Sequence, residues 1–232
     1  IASDEEVETV IVQEALLRAL ASLGQVEPGL VIDGLKNGLP SLEETVSMSV
    51  FNPQESLGLK STLDGVGQLV NTVRARLSID AWQALNQLRS DWNVTPGESK
   101  KFDSTNLLQI VQRVIHAIAQ FGGLSSEGMT RTQVWRFLEL GRRIERVLHT
   151  TTVIQSTLVD VSESEPLVLE AVLEACDSIM TYRGRYFTIL QAEAVLDLLI
   201  TDNTNPRSLI FQLNRIQELV LKLPSAGQAV LG

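Results

Sequence analysis

Two stretches of this chain say nearly the same thing, and each announces a long helix. Asn52-Pro53-Gln54-Glu55-Ser56-Leu57 precedes an amphipathic run from Leu57 to Arg76. Asn205-Pro206-Arg207-Ser208-Leu209 precedes another from Leu209 to Leu223. In both, Asn reads as the cap of the orphan amides at the helix start. Pro reads as a first-turn residue, where its missing N–H costs nothing. A helix start repeated roughly 150 residues apart predicts two related helical units, a weak internal duplication. Almost every other long segment also has helical spacing, and strand-like alternation is scarce. The fold class that follows is all-α, a helical bundle with short connections.

Caps and breakers place the helices. Ser3-Asp4-Glu5-Glu6 gives residues 3–22 a cap and first-turn carboxylates. Leu23 to Pro40 is rich in Gly and Pro and reads as a loop, and Ser41 to Met48 as a short helix. Ser78 caps a helix through Arg89, and Asn93 to Lys101 is a polar loop. Ser104 to Phe121 is expected to stop at Gly122-Gly123. Thr130 to Leu158 is the longest helix, followed by Glu165 to Tyr182 and Glu193 to Thr201. Residues 1–40 are expected to form a helix and loop continuing from a longer chain, since the sequence opens on Ile1 rather than Met. Residues 41–224 are expected to form the main unit and residues 225–232 a frayed tail.

Composition narrows the chemistry. A chain of 232 residues buries about 70% of its unfolded surface, enough for one large domain or two small ones. Its net charge of −9 argues against nucleic acid or an anionic membrane as the main partner. Cys176 stands alone, which rules out an internal disulfide and a thiolate metal cage. A reducing cytoplasm fits that usage. No apolar run reaches the roughly 18–20 residues that span a bilayer, and no signal peptide is legible. His116 and His149 lack the spacing of a metal pair. Gly122-Gly123 and Gly65-x-Gly67 lack the strand, Lys and Ser/Thr setting of a phosphate loop. Neither a metal nor a cofactor is expected.

On a helical wheel of residues 130–158, Val134, Phe137, Leu138, Leu140, Gly141, Ile144, Val147 and Leu148 share one apolar arc. Trp135, Arg136, Glu139, Arg142, Arg143 and Arg146 fall outside it. Glu145 falls inside it. A carboxylate turned to the core must be paired, hydrogen-bonded or protonated. Two readings fit: a ligand-binding or acid–base carboxylate, or a structural salt bridge to an Arg of a neighbouring helix. Arg183 and Arg185, set between Tyr182 and Tyr186, are the expected partners. Arginine is the second clue, in Arg142, Arg143, Arg146, Arg183, Arg185 and Arg207. Guanidinium forks match carboxylate or phosphate, and helix starts favour anions. Again two readings fit: a local anion site joining Arg142, Arg146, Tyr182, Arg183, Arg185, Asn205 and Arg207, or a solvated face paired with the chain's own 28 acids. Cys176, between Val172, Leu173 and Ile179, reads as a small core residue, and the three Trp as packing residues.

Several stretches, taken in order, resemble the alpha-E domain, an all-helical bacterial family. They are Asn52-Pro53, the run Arg74-Ala75-Arg76-Leu77-Ser78-Ile79-Asp80-Ala81-Trp82, and Trp135 through Arg146 with its Gly-Arg-x-x-Glu-Arg setting. Asp177-Ser178-Ile179-Met180-Thr181-Tyr182-Arg183, Val195-Leu196-Asp197-Leu198-Leu199 and Asn205-Pro206-Arg207 complete the set. The resemblance covers about residues 40–224, and Glu145 matches one of the family's characteristic glutamates. It is similar to the version fused to a circularly permuted ATP-grasp ligase module. That likeness implies work in peptide ligation or modification, with the ligase on the same polypeptide and a peptide or anionic small molecule as substrate. Three features depart from the family. A first helix like Trp135–Arg146 is missing, Val66–Asn71 lacks the usual Arg and Glu residues, and Gly184 stands for an expected Arg. These departures favour an accessory or substrate-presenting domain. The alternative is an enzyme domain using Glu145 within the arginine cluster.

Overall fold

The structure, a computed structural model, describes residues 4–23, 58–92, 104–158, 166–186 and 189–224. Within them every regular element is helical. Helix α1 spans Asp4–Ser22 and α2 Leu59–Val73, the latter running into a 3₁₀ turn at Arg74–Arg76. Helices α3 (Ile79–Trp92), α4 (Ser104–Gly128) and α5 (Gln133–Leu158) follow. Then come α6 (Pro166–Ala175), α7 (Ile179–Tyr186) and α8 (Ala192–Leu196), which passes into one π-helical turn at Asp197–Thr201. Helix α9 spans Leu209–Val220. The Asn52-Pro53 helix start, the short helix at Ser41–Met48, the loop at Asn93–Lys101 and the tail from Ser225 lie outside the described residues.

Contacts divide the chain into two compact units. One joins Ile1–Leu23 to Arg131–Gly232, and the other is Gly24–Thr130. This differs from the single unit expected over 41–224: α2 to α4 group apart from α5 to α9. The expected boundary at residues 40 and 41 itself lies outside the described residues. In the Gly24–Thr130 unit, α3 packs on both α2 and α4. Leu63, Leu88, Leu107 and Val114 form its buried centre. Ser78 does cap α3, its Oγ accepting the Ala81 N–H at 3.2 Å. The expected stop at Gly122-Gly123 does not occur, and α4 continues to Gly128. A glycine costs about 1 kcal/mol within a helix but ends one only where the chain turns left-handed. No φ in the left-handed range is found at either position.

In the other unit α5 is the central helix, packed by α1, α6 and α9. Val153 and Ile154 of α5 meet Val172 and Leu173 of α6, Tyr182 of α7 and Leu198 and Leu199 of the π-turn. Ile11, Val12 and Ala15 of α1 pack on the same core. Each such aliphatic side chain contributes about 1.5–3 kcal/mol when fully buried.

The helix expected from Glu165 to Tyr182 is two helices. Helix α6 ends in a Schellman turn, in which the Ser178 N–H reaches the Leu173 carbonyl at 2.7 Å and the Asp177 N–H reaches Glu174 at 2.9 Å. The left-handed residue is Asp177, at φ 51°, where glycine is customary. Neither Gly nor Pro marks the break.

The start of α9 also differs from expectation. Ser208, not Asn205, is its cap: Ser208 Oγ accepts the Phe211 N–H at 3.2 Å and donates to the Asp202 carbonyl at 2.6 Å. Asn205 is buried in the turn before the helix. Its Nδ2 donates to the Leu198 carbonyl at 3.0 Å and its Oδ1 accepts the Arg207 N–H at 3.0 Å. It ties α9 to the π-turn rather than capping helix amides.

Candidate functional site

The first half of α5 is inside out. Phe137 is 60% exposed, Ile144 41% and Leu148 55%, while Glu139 is only 6% exposed. The apolar arc therefore faces solvent, and the face bearing Glu139, Arg143 and Arg146 turns inward. The second half shows why. Thr150, Val153, Ile154 and Thr157 are the buried residues there. At 100° per residue they share the face of Glu139, not that of Phe137. Once Val153 and Ile154 enter the core, the rigid helix carries the arginine-rich face in with them.

Glu145 is consequently exposed, which corrects the expectation that it lies buried against an arginine. The buried carboxylate is Glu139. Its Oε1 accepts from Arg142 Nη1 at 2.6 Å and its Oε2 from Arg143 Nη2 at 3.0 Å. Sequence reasoning assigned Glu139 to the polar side and gave it no role. The available signal was its spacing, three and four residues before two arginines and in register with Thr150 and Val153.

The network extends to α9. Arg143 Nη1 donates to Gln212 Oε1 at 3.2 Å, and the fully buried Gln212 donates from Nε2 to the Pro206 carbonyl. Arg136 Nη1 donates to the Lys222 carbonyl at 3.2 Å, so α5 and α9 run antiparallel. Arg207, next to Pro206, pairs with Asp177 at the left-handed turn. These links bring the inward face of α5, the Asn205-Pro206-Arg207 turn and the end of α6 together. Arg146 lies one turn beyond Arg143 on the same face. Its guanidinium is held down to about 10, first by burial and then by the charges of Arg207, Arg143 and Arg142, with Asp177 pulling the other way. Arg146 therefore feels the charges of three other arginines across this space.

The remaining candidates fall elsewhere. Arg183 pairs with Glu170 on the surface, and Arg185 with Asp202 and Thr204, at 2.8 Å to the Thr204 hydroxyl. Neither reaches Glu145. Tyr182 is wholly buried, its O–H donating to the Ile189 carbonyl at 2.9 Å and accepting the Gln191 N–H at 3.1 Å. It holds the turn into α8 rather than a ligand. Cys176 is buried, as its apolar neighbours require, and burial pushes its thiol up to about 11. His149 Nε2 is 3.2 Å from the Ala175 carbonyl at the end of α6. Trp82 and Trp135 carry stacked guanidiniums, Arg74 at 4.6 Å and Arg131 at 4.4 Å. In the other unit, Trp82, Gln83, Asn86, Gln87 and Gln120 line an open groove of about 630 Å³. Among the described residues no group of His, Cys, Asp and Glu is arranged to hold a metal ion. Among the same residues, no helix is long and apolar enough to cross a membrane.

A central helix that turns a glutamate and a row of arginines inward, wrapped by shorter helices, defines an all-α bundle built around an ionic network. The chain belongs to the Alpha-E family, described as a predicted alpha-helical domain with a conserved ER motif, whose model matches residues 3–231. Glu145-Arg146 is the one Glu-Arg step in the sequence. The fold separates its halves, sending the glutamate to solvent and the arginine into the cluster. Uncharacterized proteins of Mycobacterium bovis and of two strains of Mycobacterium tuberculosis are 29% identical over 180 residues. The match covers 76% of this chain and spans 20% of the relatives' length. No solved structure is significantly similar.

Proposed function

We propose that this chain is a helical accessory module that holds an anionic or peptidic substrate for an ATP-grasp-type ligase on the same polypeptide, in the bacterial cytoplasm. The observation carrying this reading is the inward arginine cluster. Arg142, Arg143, Arg146 and Arg207 are suited to hold an anion, and guanidiniums are poor proton carriers at neutral pH. The neighbouring groups are committed elsewhere: Glu139 is bonded to two arginines, and Cys176 is kept as the unreactive thiol. This is the equipment of a holder rather than of a catalyst. In the mycobacterial relatives the matching region is a fifth of a longer polypeptide, as a module serving another domain would be. The ligase itself is inferred from the family resemblance. Reading the coding sequence on either side of this chain tests it directly, since an ATP-grasp module is expected there and its absence sinks the reading. Calorimetry of the chain with Mg-ATP gives the second check. No micromolar binding is expected, and finding it would place the nucleotide site in this domain.

A further inference from the structure

The geometry points to a phosphoryl-binding site formed by Arg142, Arg143, Arg146 and Arg207, in which a dianionic phosphate group displaces the Asp177 carboxylate from Arg207. The argument begins with charge. Four guanidiniums face two carboxylates, Glu139 and Asp177. Glu139 is buried and already shared by Arg142 and Arg143. Asp177 is 71% exposed and holds only Arg207. Arg146 has no hydrogen-bond or ion-pair partner among the described residues, although half-buried beside three other arginines. Burial first, and then the charges of Arg207, Arg143 and Arg142, hold its basicity down, with only the distant Asp177 opposing them.

Donors tell the same story. Arg143 spends Nη1 on Gln212 and Nη2 on Glu139, yet its Nε–H is buried without a partner. A buried donor left unpaired costs free energy unless a ligand supplies the acceptor. The site is also built rather than incidental. Arg143 is fixed by the wholly buried Gln212, which is fixed in turn by the Pro206 carbonyl, and Asn205 fixes the Arg207 backbone. A ligand bearing two charges on one small group matches the uncompensated surplus. A phosphoryl group also presents three acceptor oxygens to the guanidinium forks.

Asp177 stands where such a ligand would reach Arg207. It sits at the surface, on a left-handed turn that glycine usually occupies. The site thus carries its own weak, replaceable anion. This inference rests on the reading of the cluster as an anion holder, but not on the ligase partner proposed above. Flanking sequence tests that partner, and anion binding to the 232-residue chain tests this site.

The probe is inorganic phosphate, followed by NMR of the arginine Nε–H signals, with malonate as a dicarboxylate comparison. Saturable millimolar binding is expected, shifting the Arg143 and Arg146 signals. It should weaken at about 1 M salt, where the Debye length falls to about 3 Å. Arg146→Gln should weaken binding about tenfold or more, the share of one charge-assisted contact. Arg207→Gln gives the same reading if the first variant fails to fold. Asp177→Asn should tighten binding by about twofold to fivefold, because it removes a competing surface ion pair. A linear, unsaturating response overturns the site. So does an Arg146→Gln or Arg207→Gln protein that binds as the parent does, or an Asp177→Asn protein that binds more weakly. Malonate binding as tightly as phosphate would overturn the phosphoryl assignment.

Discussion

Glu139 and Glu145 lie six residues apart on one helix and have opposite fates. Glu139 is nearly sealed from water and accepts from two arginines, while Glu145 is exposed. Glu139→Gln leaves two guanidiniums without their carboxylate. A fully buried pair broken this way loses about 3–5 kcal/mol. Arg142 and Arg143 are 29% and 20% exposed, so about 2 kcal/mol is expected here. In a protein of this size that lowers the melting temperature by roughly 4–8 °C. Glu145→Gln should stay within about 0.5 kcal/mol of the parent, as exposed substitutions do. Thermal denaturation of the two variants separates them, and equal shifts would contradict the burial pattern. Wheel counting alone reversed the two residues. It compares positions around a helix and says nothing of which arc a neighbour will cover.

At the scale of elements, much was legible. The places of α1, α2, α5 and α9 follow, to within three residues at each end, from apolar spacing and caps, and the Ser78 cap from one hydroxyl beside an orphan amide. The arginine convergence was legible only as composition. That the charges of Arg142 and Arg207 both reach Arg146 depends on α9 lying antiparallel on α5, which no local pattern encodes. Arg183 and Arg185 carry the same charges in the sequence, yet the turn at Asp177 sends them to Glu170 and Asp202. That turn was illegible because Asp occupies a place where Gly is the usual signal. The left-handed conformation costs a non-glycine residue about 1 kcal/mol. Comparing Asp177→Gly with Asp177→Asn isolates this cost, since both lose the ion pair to Arg207. The Gly variant is expected to melt roughly 1–4 °C above the Asn variant. If Asn is the more stable of the two, the turn is not strained.

The molecule as a whole is threaded discontinuously. Helix α1 opens the chain, yet it packs on α5 and α6, more than a hundred residues later, while α2 to α4 form a separate compact unit. Ile11, Val12 and Ala15 make α1 an apolar cover for the core of α5 and α6. Leu17 of this helix is 2% exposed. Leu17→Ala should therefore cost about 2–5 kcal/mol, the range for truncating a buried leucine. A chain shortened to begin at Gly24 should lose cooperative unfolding in the α5–α9 unit and bind hydrophobic dyes. Denaturant unfolding and dye fluorescence check both, and a shortened chain that unfolds as sharply as the parent would contradict the packing.

The pairing of Arg207 with Asp177 has a consequence for selectivity. A carboxylate tethered beside its guanidinium acts as an intramolecular competitor, at an effective concentration of order millimolar or more. Any incoming anion must outbid that local supply before it gains a net contact with Arg207. A singly charged metabolite merely exchanges one carboxylate for another and is filtered out. A ligand whose second charge also engages Arg146, to which Asp177 makes no ion pair, gains something the internal group cannot offer. The turn at the end of α6 thereby sets an entry threshold, tuned by how firmly the backbone holds one aspartate in place.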